Sequence, residues 1–209
     1  MRYRYWIKAG LQRSAYTLLI AFIYLLVRIL FPFEELGFDA LLKNSIFGTA
    51  SHIALFYTLF NLSNYEADIS LLLRFGCTRR EVFWGLQLLR LIAILPILLV
   101  VISICIFAPA TAHPPIQKAA VMYLSAYLGG AFGGMAGALI HGRSHGKRVA
   151  NIVFTLIAAI LCIALSEGCI RSIPDSAAAW AWLMLAVNAV ICCLCGLSEY
   201  KALKTFSVQ

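Results

Sequence analysis

Six apolar runs alternate with short polar segments along the chain. They cover residues 14–33, 45–62, 86–108, 118–140, 149–167 and 177–197. Each has about the 20 apolar residues that a membrane-spanning helix needs. The pattern predicts an all-α integral membrane protein with six transmembrane helices in one domain, residues 1–209. That domain divides into an interfacial helix (1–13), helices one and two (14–62), an elbow (63–85), helices three to six (86–197) and a tail (198–209).

Composition and charge support a membrane location. The chain is 62% hydrophobic and 12% charged, whereas soluble domains average about 25% charged residues. If six helices alternate, all lysines and arginines except Arg28, Lys43, Lys118 and Arg171 fall on one side. Basic residues favour the cytoplasmic side, so both termini are expected there. This bias accounts for the formal charge of +8, and no nucleic-acid partner is expected.

Small residues recur at a spacing of four in the fourth run. Gly129, Gly133 and Gly137 follow one such row, and Gly130 and Gly134 follow a second. Residues at this spacing share one helix stripe, which lets a neighbouring backbone approach closely. The glycines therefore predict a helix-packing surface, either against another helix of this chain or across a dimer interface.

The segment between the second and third runs predicts a short amphipathic helix. Ser63 and Glu66 have the spacing of a capping box, in which each side chain satisfies backbone N–H groups at a helix start. Glu66, Ser70 and Arg74 then share one stripe, with apolar residues on another. The stretch EADISLLLRF is therefore expected at the membrane interface.

A tight corner follows this predicted helix. Gly76 can adopt the left-handed conformation that ends a helix, and Thr78 with Glu81 forms a second capping box that begins helix three. Two interpretations stay open on physical grounds. The corner is either a topology signal carried by Arg79 and Arg80, or a docking surface for a partner.

The elbow resembles that of the permease subunits of type 2 ABC exporters. In that family a glutamate opens a short coupling helix and a leucine pair follows. A Gly or Pro, a Ser or Thr, an arginine, an apolar residue and a glycine come next at fixed spacings. The corresponding positions here are Glu66, Leu72, Leu73, Gly76, Thr78, Arg79, Val82 and Gly85.

The resemblance implies a multi-pass permease in a cell membrane, such as a bacterial plasma membrane, that exports an amphipathic or hydrophobic substrate, peptide or lipid-like. It implies a separate ABC ATPase subunit and a second permease, identical or homologous. ATP and magnesium would belong to the ATPase, so this chain is expected to hold no catalytic residue, cofactor or metal. The residues expected to couple it to the ATPase are Glu66, Asp68, Ser70, Arg74, Gly76, Thr78, Arg79 and Arg80.

Other features of the sequence suggest different functions. Cys192 and Cys195 form a C-x-x-C, the spacing of a redox pair in a membrane thiol oxidoreductase. A non-transporting assembly or immunity protein of the membrane is a further alternative. His141 and His145 are not expected to bind metal, because glycines flank them and no carboxylate or cysteine ligand is near.

Overall fold

The computed structural model describes residues 2–30, 38–107, 116–141, 153–161, 164–165, 168 and 178–205, which are helical apart from the turn at residues 75–78. The long helices are α1 (Arg2–Leu30), α2 (Phe38–Arg74), α3 (Arg79–Phe107) and α4 (Ile116–His141). Helical residues 153–161 form α5, and α6 spans Ala178–Thr205.

The prediction of six membrane-spanning helices is wrong. Within the described ranges, two helices are long and apolar enough to cross a membrane, Gln117–Ile140 in α4 and Ala179–Lys204 in α6. A spanning segment must be one helix of about 20 residues with few charges. The described parts of three apolar runs, residues 14–30, 45–62 and 86–107, instead belong to the longer helices α1, α2 and α3, which also carry charged turns.

The two short helices expected at the interface are not separate elements. Residues 2–13 are the first turns of α1, and residues 63–74 are the last turns of α2, so the predicted helix start at Ser63 and Glu66 is wrong. A capping box begins a helix only where the preceding chain leaves the helical conformation. Neither glycine nor proline interrupts residues 49–74, and α2 therefore continues into the corner.

Helix α4 occupies the centre of the fold, between α2 and α6. A Cβ atom at Gly129 would overlap the carbonyl oxygen of Ala54, and one at Gly133 would overlap that of Thr58. Further along, a Cβ atom at Gly137 would lie 2.5 Å from Cβ of Tyr65. This row of glycines thus packs against α2 of the same chain, at a distance that no larger residue would permit.

Hydroxyl groups join α1 and α2 to α3 near Pro96. Proline has no N–H, so the carbonyl of Ile92 loses its bond within the helix. The Ser14 hydroxyl donates to this oxygen at 2.6 Å. At the next carbonyl, that of Ala93, Thr17 donates at 2.7 Å. The carbonyl that Pro96 leaves without its helical donor is therefore satisfied by Ser14 of α1, and Thr17 adds a second bond between the two helices.

Candidate functional site

The corner between α2 and α3 closes in a Schellman motif around Gly76. Gly76 has a φ of 75°, which confirms the predicted left-handed conformation. Its N–H donates to the Leu73 carbonyl at 3.0 Å, and the Cys77 N–H donates to the Leu72 carbonyl at 3.1 Å. Both bonds satisfy carbonyls that the end of α2 would otherwise leave unpaired.

A capping box begins α3, as the spacing of Thr78 and Glu81 predicts. The Thr78 N–H donates to Oε2 of Glu81 at 2.7 Å, and the Glu81 N–H donates to Oγ1 of Thr78 at 3.2 Å. Two donors at the start of the helix are thereby satisfied reciprocally. The direction in which α3 leaves the corner is encoded by these two side chains.

The apolar side of the corner is part of the protein core. Leu72, Cys77 and Val82 are buried in one cluster with Trp6 of α1. A Cβ atom at Gly85 would overlap the Trp6 indole, so this glycine leaves the space that the ring fills. The start of α1 and both arms of the corner consequently form one packed unit.

The charged residues predicted for coupling separate into two groups. Asp68 lies toward the protein interior, where its Oδ2 accepts from Arg13 at 2.6 Å. The side chain of Glu66 lies outside the described residues, and Ser70 is half-buried. Exposed positions are held by Gly76, Thr78 and three arginines, Arg74, Arg79 and Arg80. The surface of the corner is therefore cationic.

A buried ion pair joins α3 to α6 below the corner. Arg90 donates from Nη2 to Oε1 of Glu199 at 2.7 Å and from Nη1 to Oε2 at 2.8 Å. Arg90 is 2% exposed and Glu199 is 0% exposed. Two parallel bonds of this kind fix both distance and orientation. The pair sets the position of α6 against α3.

Polar side chains of α3 and α4 extend this pair into a network. Nε2 of Gln87 donates to Oε2 of Glu199 at 3.2 Å, and Oε1 of Gln87 accepts from Arg90 at 3.3 Å. The same Oε1 accepts from the Tyr127 hydroxyl. Gly134 provides the space for the guanidinium, because a Cβ atom there would overlap Nη2 of Arg90. Three helices thus meet at one buried charge pair.

Sequence reasoning missed this pair. Arg90 and Glu199 are 109 positions apart, and no local pattern in the sequence relates them. The available signal was the second row of glycines, Gly130 and Gly134. A helix stripe without side chains can accommodate a long buried side chain as well as a close backbone.

Tyr65 lies beside the network with a buried hydroxyl that has no hydrogen-bond partner in the described part of the chain. Its burial, and then the negative charge of Glu199, raise the pKa of Tyr65 far above its ordinary value, against a smaller opposing effect of Arg90. The side chain therefore stays neutral. A neutral, unpaired hydroxyl beside a buried charge pair costs stability, so packing must hold it there.

The cysteines of the C-x-x-C lie on α6 and differ in exposure. Cys192 is half-buried, Cys193 is exposed and Cys195 is buried, and none of the three is in a disulfide. Over the ranges that the structure describes, no three metal-ligating side chains gather. His145 and the side chain of His141 lie outside those ranges.

No family model, curated protein or solved structure matches this chain. Its function is therefore inferred from its own residues and their geometry.

Proposed function

We propose that this chain is the membrane subunit of an ATP-driven exporter and that a separate ABC ATPase docks on the corner at residues 74–81. The observation that carries the proposal is the construction of the corner. Its cations are exposed, both adjoining helix ends are capped by local hydrogen bonds, and Leu72, Cys77 and Val82 anchor it in the core. A surface of this kind suits a contact that must transmit force.

The corner can pass a displacement to the rest of the molecule without bending. The Schellman motif at Gly76 and the capping box at Thr78 satisfy the backbone groups that a flexible turn would leave to water. Burial of Leu72 and Val82 then ties the movement of the turn to both α2 and α3. Through Trp6, the start of α1 moves with them.

The charge of the corner indicates the character of the docking partner. Arg74 and Arg79 are exposed on a short stretch of chain, whereas the side chain of Glu81 is bound to Thr78. An acidic surface on the ATPase would complement this patch and would speed its association. The chain itself supplies no catalytic residue, and ATP hydrolysis belongs to the partner.

The surface of α6 supports a location in a cell membrane. This helix could cross a membrane, and only 17% of its apolar window is buried inside the protein. Its exposed side chains include Trp180, Leu183, Val190 and Leu194. Such a surface fits lipid or a second permease subunit. We place the chain in the plasma membrane of a bacterium, with an amphipathic or hydrophobic molecule as its substrate.

The docking proposal is tested by reversing charge at the corner. The tagged chain is purified in mild detergent, and the co-purified ATPase is quantified per permease chain. Arg74→Glu with Arg79→Glu should lower the bound ATPase about tenfold or more, the effect of losing roughly one charge-assisted contact. Membrane insertion should be unchanged, because both side chains are exposed. The matched control is Arg4→Glu with Lys8→Glu on exposed turns of α1, which should retain the ATPase.

Three results would contradict the proposal. The first is equal ATPase binding by the corner and control variants. The second is the reproducible absence of any ATPase from the wild-type preparation. The third is loss of export activity in a Cys192→Ala, Cys195→Ala variant that still binds the ATPase normally. The last result would favour a membrane thiol oxidoreductase.

A further inference from the structure

An open groove of about 690 Å³ lies between one face of α3 and one face of α6. Ligand sites in proteins usually have volumes of about 300–1,000 Å³. The α3 wall consists of Arg80, Phe83, Trp84 and Gln87, whose spacing places them on one helix stripe. The groove is therefore large enough for a small ligand, and one of its walls is a continuous stripe with two aromatic side chains between two polar ones.

The α6 wall contains Tyr200, Leu197 and Gly196. A Cβ atom at Gly196 would meet only Cζ of Phe83, at 3.9 Å. That distance is ordinary van der Waals contact, so the glycine is not required by close packing. It leaves open space that a larger side chain would fill.

The groove has a cation near one end and an amide near the other. Arg80 is exposed and makes no hydrogen bond or ion pair with the described residues. Gln87 lies seven positions along α3, about 10 Å away at 1.5 Å per residue. One of its two amide hydrogens bonds to Glu199, which leaves the other as a donor. Between them the groove is lined by Phe83 and Trp84.

The surroundings of the groove are basic at the Arg80 end and apolar along α6. The ammonium of Lys204 lies 4.6 Å from the centre of the Tyr200 ring. Leu194 and Leu197 are exposed on the same helix. A ligand that lies in the bilayer would thus meet an apolar wall first and positive charge at its end.

We propose that this groove binds a membrane phospholipid with an anionic headgroup. Arg80 would bind the phosphate, because the planar guanidinium presents two parallel donors to phosphate oxygens. The acyl region would lie against Phe83, Trp84 and Leu197. Basic pockets beside membrane helices commonly hold such headgroups. The inference goes beyond the proposed export function and does not require an ATPase.

Occupancy of the groove is coupled to the buried network through Gln87. This residue lines the groove and also bonds to Glu199 and Arg90. A lipid oxygen that accepts its second amide hydrogen would hold the side chain in the geometry that supports the ion pair. Bound lipid should therefore raise the midpoint of thermal unfolding, as any ligand selective for the folded state does.

The test measures lipid binding to the full chain in dodecyl maltoside micelles. Phosphatidylglycerol or phosphatidylcholine is titrated in, and bound lipid is counted by native mass spectrometry. Phosphatidylglycerol should bind about tenfold more tightly than phosphatidylcholine, because the choline of the latter places a second cation beside Arg80, and Arg80→Gln should weaken phosphatidylglycerol binding by about that factor. Gly196→Leu should reduce binding of both lipids by filling the groove. Lys201→Gln, which removes a neighbouring charge outside the groove, should change the affinity less than about twofold.

Four outcomes would overturn the proposal. Two concern the charge: equal affinity for the two lipids, and equal losses of phosphatidylglycerol affinity in Arg80→Gln and Lys201→Gln. The third is unchanged lipid binding in Gly196→Leu, and the fourth is displacement of phosphatidylglycerol by inorganic phosphate at the same concentration. If Gly196→Leu does not fold, Trp84→Ala replaces it, since Trp84 is 61% exposed and its loss should weaken lipid binding without unfolding the chain. ATPase binding is measured on the same variants and should be retained by Gly196→Leu, which separates the two proposals.

Discussion

Gly134 in α4 faces the guanidinium of Arg90 in α3 so closely that a Cβ atom at position 134 would overlap Nη2 of Arg90. The same atom would lie 2.7 Å from Oε1 of Glu199. One turn earlier, a Cβ atom at Gly130 would lie 3.4 Å from Cδ of Arg90. The two glycines therefore differ sharply in how much room they leave, although they share one stripe.

Gly134→Ala should destabilise the fold far more than Gly130→Ala. The methyl group at position 134 has to displace a guanidinium that is held by two bonds to Glu199, which is an overpacking cost of about 1–3 kcal/mol. At position 130 the added Cβ atom would lie 3.4 Å from Cδ of Arg90, at the edge of ordinary van der Waals contact. The higher helix propensity of alanine, up to about 1 kcal/mol over glycine, should offset the small packing cost. Thermal unfolding of the purified variants measures the difference, and equal midpoints would disprove the close approach.

Removal of one partner of the buried ion pair should be costly, and removal of both should cost much less. Glu199→Gln leaves the Arg90 charge buried without a counter-ion, which typically costs about 3–5 kcal/mol. Replacing both residues, as in Arg90→Met with Glu199→Leu, removes the charges together and should recover most of that loss. Chemical denaturation of the wild type, the single variants Arg90→Met and Glu199→Leu, and the double variant gives the coupling energy. A double variant as unstable as the sum of its parts would show that the pair is not a unit.

The corner could be predicted from sequence because its determinants are local. Gly76, Thr78 and Glu81 act on backbone groups within four residues of themselves, and the structure contains both the left-handed glycine and the capping box. The same signals failed at Ser63 and Glu66. There the spacing of a capping box occurs inside a helix that has already begun, and spacing alone does not reveal where a helix begins.

The helix count and the buried site could not be read from local patterns. Residues 14–30 and 45–62, from the first two apolar runs, are parts of longer helices that continue into charged turns. The Arg90–Glu199 pair depends on α6 returning to α3 from 109 residues away. The glycines of α4 pointed to close packing, but only the structure distinguishes the row facing the α2 backbone from the row facing Arg90.

Ser14→Ala should destabilise the protein chiefly because of Pro96. The Ser14 hydroxyl bonds to the Ile92 carbonyl at 2.6 Å, and Pro96 has no N–H with which to replace that bond. A fully buried carbonyl left unpaired costs about 1–3 kcal/mol, and the half-buried Ile92 carbonyl should cost about 1 kcal/mol. In a Pro96→Ala background the new N–H can bond to Ile92, so the same serine substitution should then cost less. Equal costs in both backgrounds, measured by thermal unfolding, would contradict this account.

Tyr65→Phe should stabilise the protein at neutral pH and reduce its sensitivity to alkali. The Tyr65 hydroxyl is buried without a partner among the described residues, so its removal should gain about 1 kcal/mol. Burial and the Glu199 charge raise the pKa of Tyr65 in the folded state. Above the ordinary tyrosine value of about 10, the unfolded chain loses a proton that the folded chain keeps. The free energy of unfolding of the wild type should then fall by up to about 1.4 kcal/mol per pH unit because of this residue.

Chemical denaturation from pH 8 to pH 11.5 checks both effects, with Tyr16→Phe as the control, since Tyr16 is 54% exposed. If the alkaline slope of the Tyr65→Phe variant equals those of the wild type and the control, Tyr65 is not the neutral buried group beside Glu199 that the structure shows.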